Sequence, residues 1–274
     1  MSKDQVGAKP IVIKIGGSTL GNHDTTLEDL VTLQKKGIPC VVIHGGGKII
    51  SDWMKKQGIL PRFVRGLRVT DEPSLEIAAA VLTGLINKQL VSALLAKGAR
   101  VIGMSGVDGG ILEGVIEDPE LGLVGKIVKV NPDPILAALN AGYIPLLAPI
   151  GVHRFDGSEH SGSLLNINGD TAAGEIAWAL HAGHLVFLTD VEGVKDASGR
   201  VMPRLSESEA QRFLRSGVAT GGMIPKLEAG LRALETVQIT QIVDGRVPGA
   251  LMDCLSNKAV GTYLVRTQFP ERGG

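Results

Sequence analysis

Ile11-Val12-Ile13-Lys14-Ile15-Gly16-Gly17 is a run of β-branched residues that is interrupted by one lysine and closed by two glycines. Such a run predicts a strand that is buried on both faces of a parallel sheet. Because a buried ammonium group loses its hydration, we expect an anion near Lys14, and the glycines let a ligand reach bare backbone N–H groups. The stretch therefore indicates a phosphate or carboxylate site at the C-terminal end of a strand. An edge strand with Lys14 in solvent is the alternative.

A second strand with the same kind of ending follows. Cys40–His44 runs into Gly45-Gly46-Gly47, after which a helix is predicted over 48–57. Strands that alternate with helices through glycine turns indicate parallel βαβ units. We predict an α/β fold, a three-layer αβα sandwich with a mainly parallel open sheet. We expect a single domain over 1–274 with two lobes, about 1–183 and about 184–274.

Three later stretches carry expectations of their own. A long helix is predicted over 72–97, and the alternation over 111–130 predicts an antiparallel excursion from the parallel sheet. Residues 143–151 are predicted to form one strand, and the polar residues 152–163 a loop or hairpin.

The composition excludes several classes of protein. Lys plus Arg and Asp plus Glu are 28 each, and the aromatic residues are two Trp, two Tyr and five Phe. Neither a basic surface nor a base-stacking platform for nucleic acid is predicted from these numbers. Cys40 and Cys254 form no disulfide framework, which fits a reducing compartment. Residues 1–10 contain no apolar signal segment, and 143–152 is about half a membrane span. We predict a cytoplasmic protein without a nucleic-acid or membrane partner.

Two features indicate an anionic ligand. The three glycines lack the spacing of a P-loop, because Ile49 stands where Ser or Thr would bind magnesium. Three glycines before a helix nevertheless favour a backbone cradle for an anion over a plain tight turn. Arg68, in the segment GLRVT at 66–70, could grip a carboxylate with both guanidinium nitrogens, although a lone arginine is more often solvated.

Two later segments strengthen this interpretation. Asn166-Ile-Asn168-Gly-Asp170 places two amides on one side of an extended segment, and Asp170 then caps or opens a helix. An N-cap role alone would explain Asp170. Lys226 lies in the first turn of a helix that is predicted to begin at Pro225. Because a cation is disfavoured at a helix N-terminus, Lys226 indicates a bound anion, unless it is an ordinary surface residue.

Metal ligation and nucleophilic catalysis find little support in the sequence. The nearest histidine pair, His181 and His184, has no third ligand close by, and no GxSxG motif occurs. Neither cysteine has an obvious base beside it.

Eight short motifs occur in one order along the chain, and together they closely resemble those of the amino acid kinase family. They are KIGG (14–17), HGGG (44–47), RGLRVTD (65–71), NK (87–88), SGVDG (105–109), NINGD (166–170), TDVEGV (189–194) and GGMIPK (221–226). The resemblance covers residues 11 to about 267. It implies phosphoryl transfer from ATP, with Mg²⁺ carried by the nucleotide, to the side-chain carboxylate of N-acetyl-L-glutamate, a step of arginine biosynthesis.

The resemblance also implies a role for each matching residue. Lys14 and Lys226 correspond to the lysines that stabilise the transferring phosphoryl group, and Asp170 to the acid that holds both lysines in place. The residues implied in substrate binding are Gly46, Gly47, Arg68 and Asn166. Those implied in phosphate and nucleotide binding are Gly16, Gly17, Thr189, Asp190, Gly193, Val194, Gly222 and Met223. No metal site on the protein itself is implied.

Departures from the family pattern and competing functions complete the expectations. Val107 stands where the family often carries lysine, so no anchoring role is predicted there. The short segment before the first strand and the lack of a histidine in 248–254 favour a homodimer that arginine does not inhibit. A kinase for carrier-protein-linked aminoadipate or glutamate in lysine biosynthesis is one alternative, although the intact RGLRVTD favours a small free substrate. A non-catalytic amino acid or nucleotide sensor is another, although retention of both lysines and Asp170 argues against it.

Overall fold

The computed structural model describes residues 8–17, 25–64, 66–219, 221–256, 258 and 260–266. Arg65 of the RGLRVTD motif, Thr220 of the loop 218–226, the first seven residues and those after 266 lie outside this part of the chain. The strands are, in chain order, β1 (Ile11–Ile15), β2 (Cys40–His44), β3 (Phe63–Val64), β4 (Leu67–Arg68), β5 (Val101–Ser105), β6 (Leu112–Ile116), β7 (Val124–Val130), β8 (Ile144–Ala148), β9 (Ile150–His153), β10 (Leu164–Ile167), β11 (His184–Thr189), β12 (Arg204–Ser206), β13 (Ile239–Asp244) and β14 (Thr262–Val265).

The helices separate these strands along the chain. They are α1 (Thr26–Lys35), α2 (Gly47–Lys56), α3 (Glu72–Ala79), α4 (Asn87–Ala96), α5 (Asp133–Asn140), α6 (Gly169–Ala179), α7 (Glu207–Ser216), α8 (Met223–Ala233) and α9 (Ala250–Leu255). A π-helical segment, Ala80–Ile86, joins α3 to α4, so these three pieces form the long helix that the sequence predicts.

The central sheet has eight strands in the order β12-β14-β13-β11-β1-β2-β8-β5. Every neighbouring pair is parallel except β13 and β14. The prediction of a mainly parallel open sheet is confirmed. β1 lies in the interior of this sheet, between β2 and β11, so the interpretation of it as an edge strand is wrong.

Side chains of β1 alternate between two apolar cores, one on each face of the sheet. Val12 joins a core that includes Ile176 of α6 and Leu227 of α8. Ile13 joins the opposite core, which includes Leu30 of α1 and Leu94 of α4. Because both faces of the sheet are covered by helices, the molecule has the three layers of an αβα sandwich.

One part of the fold departs from the sequence-based expectation. Residues 143–151 do not form one strand, because β8 belongs to the central sheet while β9 closes a small barrel with β10, β7 and β6. Pro149, which has no N–H group to donate, separates β8 from β9. The antiparallel pairing of β6 with β7 agrees with the predicted excursion. The parallel pairs β7–β10 and β6–β9 that close the barrel were not predicted.

The helix Glu72–Ala96 is long and apolar enough to span a membrane by length and composition alone, and 44% of its most apolar window is buried. Leu82, Ile86 and Leu90 of this helix lie in the apolar core against the sheet. Core packing is therefore a sufficient reason for its hydropathy. No other such helix occurs among the described residues.

Candidate active site

Three charged side chains from distant parts of the chain meet at the C-terminal edge of the central sheet. Lys14 lies on β1, Asp170 in the first turn of α6 and Lys226 in the first turn of α8. Lys14 Nζ is 2.8 Å from Asp170 Oδ1, and Lys226 Nζ is 3.1 Å from Asp170 Oδ2. All three side chains are at most 12% exposed. One carboxylate thus holds two ammonium groups side by side with little access to water.

Asp170 keeps its charge in this setting. Its burial by itself would raise the pKa of the carboxyl group, but the charges of Lys14 and Lys226 outweigh burial and hold the pKa below its usual value. The ion pairs therefore persist at neutral pH, and the cluster carries one net positive charge.

The N-cap of α6 is Asn168, not Asp170. Asn168 Oδ1 accepts hydrogen bonds from the backbone N–H groups of Asp170 at 2.9 Å and of Thr171 at 3.1 Å. The simple capping explanation of Asp170 is therefore wrong, because its neighbour takes that role and leaves the carboxylate to the lysines.

A cavity of about 210 Å³, which we name the Arg68 cavity, opens beside this cluster. Of the residues predicted from the sequence, it is lined by Lys14, Gly17, Gly46, Gly47, Arg68, Asn166 and Asp170. Leu82 and Val124 add apolar surface. The residues that the sequence predicts for substrate binding thus line one cavity.

Arg68 is 7% exposed and is held by neutral groups. It donates to Gly47 O at 2.8 Å and to Ser51 Oγ at 2.9 Å, and its guanidinium lies 4.8 Å from the centre of the Phe63 ring. Burial lowers the pKa of the guanidinium, although arginine stays charged at any physiological pH. No carboxylate among the described residues forms an ion pair with Arg68, so its charge is available to an anion in the cavity.

Asn166 lies on β10 and also lines the cavity. Its Nδ2 donates to Thr70 Oγ1 at 3.0 Å, and Thr70 Oγ1 donates in turn to Arg68 O at 2.9 Å. This chain of hydrogen bonds links the side chain of Asn166 to the backbone carbonyl of Arg68, the other residue that the sequence predicts to contact the α-carboxylate or acetamido group of the substrate.

The glycine loops present backbone donors to the same cavity. Within the described residues, the N–H groups of Gly17, Gly46 and Gly47 donate no hydrogen bond, whereas Gly45 N donates to Ile15 O at 2.9 Å. Gly46 and Gly47 lie at the N-terminus of α2, where backbone N–H groups have no partner within the helix. These N–H groups therefore lie where the sequence predicts an anion cradle.

Gly16 differs from the other predicted phosphate-binding glycines. Its N–H donates to Leu188 O at 3.0 Å and so continues the hydrogen-bond ladder between β1 and β11. It is absent from the lining of the Arg68 cavity and of the neighbouring one. The structure thus gives Gly16 no donor for a phosphate.

The close packing of Gly46 yields a paired stability prediction. A Cβ on Gly46 would collide with Ile86 Cδ1 and lie 2.9 Å from Leu82 Cδ2, whereas a Cβ on Gly47 would meet no atom of the described residues within 4 Å beyond its chain neighbours and its own helix backbone. Both contacts are with side-chain ends, but Ile86 and Leu82 are buried and have little room to turn, so we expect Gly46→Ala to lower the free energy of unfolding by about 1 kcal/mol through overpacking. Gly47→Ala is the matched control, and we expect its urea midpoint to stay at or above that of the parent. Equal midpoints for the two variants would contradict the close contact with the π-helical segment.

A second cavity, of about 370 Å³, lies on the other side of Lys226 and is named the Thr189 cavity. The predicted residues that line it are Thr189, Asp190, Gly193, Val194, Gly222 and Met223. Lys226 lines this cavity, while Lys14 and Asp170 line the Arg68 cavity. Because Asp170 pairs with both lysines, this charged cluster lies between the two cavities.

His44 and Asn87 form a buried contact that sequence reasoning did not assign. Burial lowers the pKa of His44 to about 4, so the imidazole is neutral at pH 7. His44 Nδ1 lies 3.1 Å from Gly45 O, and because a carbonyl can only accept, Nδ1 carries the proton. Nε2 then accepts from Asn87 Nδ2 at 3.2 Å. Both residues lie in recognised motifs, but 43 positions separate them, and no spacing rule indicates that they touch.

Known proteins share this architecture. The profile of the Amino acid kinase family matches residues 9–243. The chain is 44% identical over 265 residues to the acetylglutamate kinase of Dehalococcoides mccartyi, with 97% of each chain covered. The smu.665 structure from Streptococcus mutans UA159 has a TM-score of 0.80 at 28% identity, covering 93% of this chain and 98% of that one. Carbamate kinase from Giardia lamblia bound to AMP-PNP has a TM-score of 0.64, covering 95% and 99%, but at 16% identity it shows the fold alone.

The fold, the paired lysines and these similarities define a phosphotransferase. The chain belongs to the amino acid kinase family, and the prediction of family and fold from the sequence is confirmed. It is a kinase.

Proposed function

We propose that this protein transfers the γ-phosphoryl group of ATP to the side-chain carboxylate of N-acetyl-L-glutamate, a step of arginine biosynthesis. The observation that carries the proposal is the Lys14–Asp170–Lys226 cluster at the boundary of two cavities. The acceptor is supported by the acetylglutamate kinases of Dehalococcoides mccartyi and Cereibacter sphaeroides, which are 44% and 43% identical to this chain over most of its length.

We assign the acyl amino acid to the Arg68 cavity and the nucleotide to the Thr189 cavity. A buried guanidinium with no carboxylate partner among the described residues supports a carboxylate ligand in the first. The larger volume of the second and its glycine-bearing wall support a nucleotide there. In this assignment, about 1–183 form the lobe for the acyl amino acid and about 184–274 the lobe for the nucleotide.

The chemistry then needs alignment and positive charge and no general base. A carboxylate acceptor is already ionised at pH 7, so the protein has no proton to remove. Lys14 and Lys226 would neutralise charge on the transferring phosphoryl group, and the free N–H groups of Gly17, Gly46 and Gly47 would bind its oxygens. Asp170 would hold both ammonium groups beside the transferring phosphoryl group.

We propose that magnesium enters with the nucleotide. Bound Mg²⁺ would neutralise charge between the two anions, with phosphate oxygens among its ligands. Among the described residues, no group of three His, Cys, Asp or Glu side chains is arranged to hold a metal ion. The unused backbone donors and the two ammonium groups fit the phosphates that would carry it.

Arg68 offers a test of the acceptor site. We expect Arg68→Gln to raise KM for N-acetylglutamate roughly 10-fold or more, because a hydrogen bond to a charged group contributes about 1.5–3 kcal/mol, and to change KM for ATP little. Arg100→Gln is the matched control, since Arg100 also stacks on an aromatic ring, Tyr143, at 4.7 Å, but lines none of the cavities described above. An equal rise in both KM values would argue against the assignment of the two cavities.

A hydroxamate assay of the purified protein with ATP tests the proposal directly. We expect turnover with N-acetylglutamate, and much less with glutamate or aspartate. If turnover occurs only when glutamate or aminoadipate is linked to a carrier protein, the acceptor is that carrier-linked amino acid and not N-acetylglutamate. Absence of turnover with every acylated amino acid would favour a sensor.

We propose that the protein acts as a cytoplasmic homodimer. β5 is a terminal strand of the central sheet, and Leu95 and Ile102 near this edge are exposed apolar side chains. An exposed sheet edge with apolar neighbours is suited to pairing with a second copy. Light scattering coupled to gel filtration is expected to give twice the mass of the chain.

A further inference from the structure

Helices α6 and α8 lie side by side and run in the same direction away from the active site. Asp170 pairs with Lys226 at the first turn, Gly174 meets Ala229 about one turn further, and Glu175 pairs with Arg232 beyond that. Because the contacts advance along both helices together, the two axes are parallel. We name these paired contacts the α6–α8 clamp.

The clamp is tightest at Gly174. A Cβ on this residue would lie 2.6 Å from Ala229 O and 2.9 Å from Ala229 Cβ. Contacts this short with backbone atoms force one helix to move, because the backbone oxygen cannot rotate away as the end of a side chain could. The absence of a side chain at 174 therefore sets how closely α8 approaches α6. This contact lies one turn from both Asp170 and Lys226.

Arg232 of α8 contacts α6 at the end of the clamp that lies away from Lys226. Its Nε is 3.0 Å from Glu175 Oε1, its guanidinium lies 4.0 Å from the centre of the Trp178 ring, and Nη1 pairs with Glu235. Trp178 Nε1 donates to Glu235 Oε2 at 3.1 Å, and Thr236 Oγ1 donates to Trp178 O at 2.9 Å. Arg232 is 33% exposed, so each of its ion pairs contributes little energy. Taken together, the contacts fix the position of Arg232, and therefore of α8, relative to α6.

We propose that the α6–α8 clamp is a positioning device that keeps Lys226 at the transferring phosphoryl group. This inference rests on the proposed function. Asp170 and Lys226 come from the two proposed lobes, and the clamp joins those lobes directly beneath the reacting atoms. A misplacement of about 1 Å in such a site costs on the order of 10²-fold in rate. Arg68 and Asn166, the side chains assigned to the acyl amino acid, lie outside α6 and α8, whereas Lys226 lies on α8, so the clamp acts on Lys226 more directly than on acceptor binding.

The test is the variant Gly174→Ala. We expect kcat to fall roughly 10-fold while KM for N-acetylglutamate changes less than about 3-fold, because the added methyl separates α8, with Lys226, from α6, while Arg68 and Asn166 lie on other elements. The double variant Gly174→Ala/Ala229→Gly removes one of the two clashing atoms and is expected to recover part of kcat.

Gly230→Ala is the matched control on the same helix. A Cβ there would lie 3.1 Å from the side-chain atoms Leu264 Cδ2 and Thr240 Cγ2, which are on the sheet side of α8. We expect this variant to leave kcat unchanged at temperatures where it is folded, whatever the change in Tm. If Gly174→Ala and Gly230→Ala have the same kcat, the clamp is structural only, and the proposal is overturned.

A second readout does not depend on the substrate. We expect amine acetylation of Lys226, followed by mass spectrometry, to be faster in Gly174→Ala than in the parent, with Lys14 unchanged. A wild-type protein that turns over no acylated amino acid would overturn the proposed function, and this labelling would still decide the clamp. Should Gly174→Ala not fold, Arg232→Gln replaces it with an expected loss of roughly 3-fold in kcat and faster labelling of Lys226. Unchanged kcat and labelling in that variant would overturn the proposal.

Discussion

Lys14→Ala and Lys226→Ala are each expected to lower kcat by roughly 10²-fold or more, with smaller changes in the KM values. The transferring phosphoryl group carries charge that moves between two anions, and each ammonium group stabilises that arrangement most in the transition state. Both lysines are nearly buried, so water does not replace the lost charge as it would at the surface. Steady-state kinetics with both substrates varied will measure the effect.

Lys97→Ala serves as the control for these variants. Lys97 is 38% exposed, pairs with Glu28 on the surface and lines none of the cavities described above, so we expect unchanged kinetics. A loss confined to KM in both active-site variants would mean that the lysines bind ground states only. The proposed roles would then be wrong.

Asp170→Asn is expected to reduce both activity and stability. Without the carboxylate, two ammonium groups are left close together in a site with little water, and breaking a buried ion pair costs about 3–5 kcal/mol. Because neither ammonium group would then be held in position, kcat should fall roughly 10²-fold. Urea unfolding at several pH values, together with kinetics at pH 7, will measure the two effects.

The same variant should change how stability depends on pH. Because the pKa of Asp170 is lowered in the folded protein, its contribution to stability is fully present above the unfolded value of about 4. That contribution is lost as the pH falls through the lowered folded pKa. We therefore expect the stability of the parent to fall more steeply below pH 4 than that of Asp170→Asn. Parallel curves for the two proteins would contradict a charged Asp170.

Asp156→Asn is the matched control for the kinetic effect of Asp170→Asn. Hydrogen bonds from Ser158 and Arg154 also hold the pKa of Asp156 below its usual range, but this carboxyl group lies at the surface. We expect kcat to be unchanged in this variant, because Asp156 lies outside both cavities.

The predictions that succeeded depend on local patterns. β1 and β2 were predicted because apolar residues that fill both faces of a strand leave a continuous run in the sequence. The small barrel was missed because its closing pairs join strands far apart in the chain, such as β7 with β10. Local periodicity contains no information about which strand will be the partner.

The site, like the fold, was predicted only in part from the sequence. Sequence chemistry alone indicated an anion beside Lys14 and beside Lys226, whereas the role of Asp170 between them and the substrate role of Arg68 rested on the family resemblance. It could not tell that Asn168, and not Asp170, caps α6, because both residue types cap helices and only the backbone geometry selects one. The assignment of Gly16 to phosphate stays a prediction, and only the structure shows that its N–H group donates to Leu188 O.

The sequence by itself determined the alternation of strands and helices, the glycine turns after the strands and the presence of residue types suited to phosphate and carboxylate ligands. Those follow from side-chain shape and charge, which each residue carries wherever it lies. Only the tertiary structure decided that Lys14 and Lys226 share one carboxylate, that His44 contacts Asn87 and that Gly174 lets α8 approach α6. Distances between residues far apart in the chain are set by how the layers pack, and no single segment contains them.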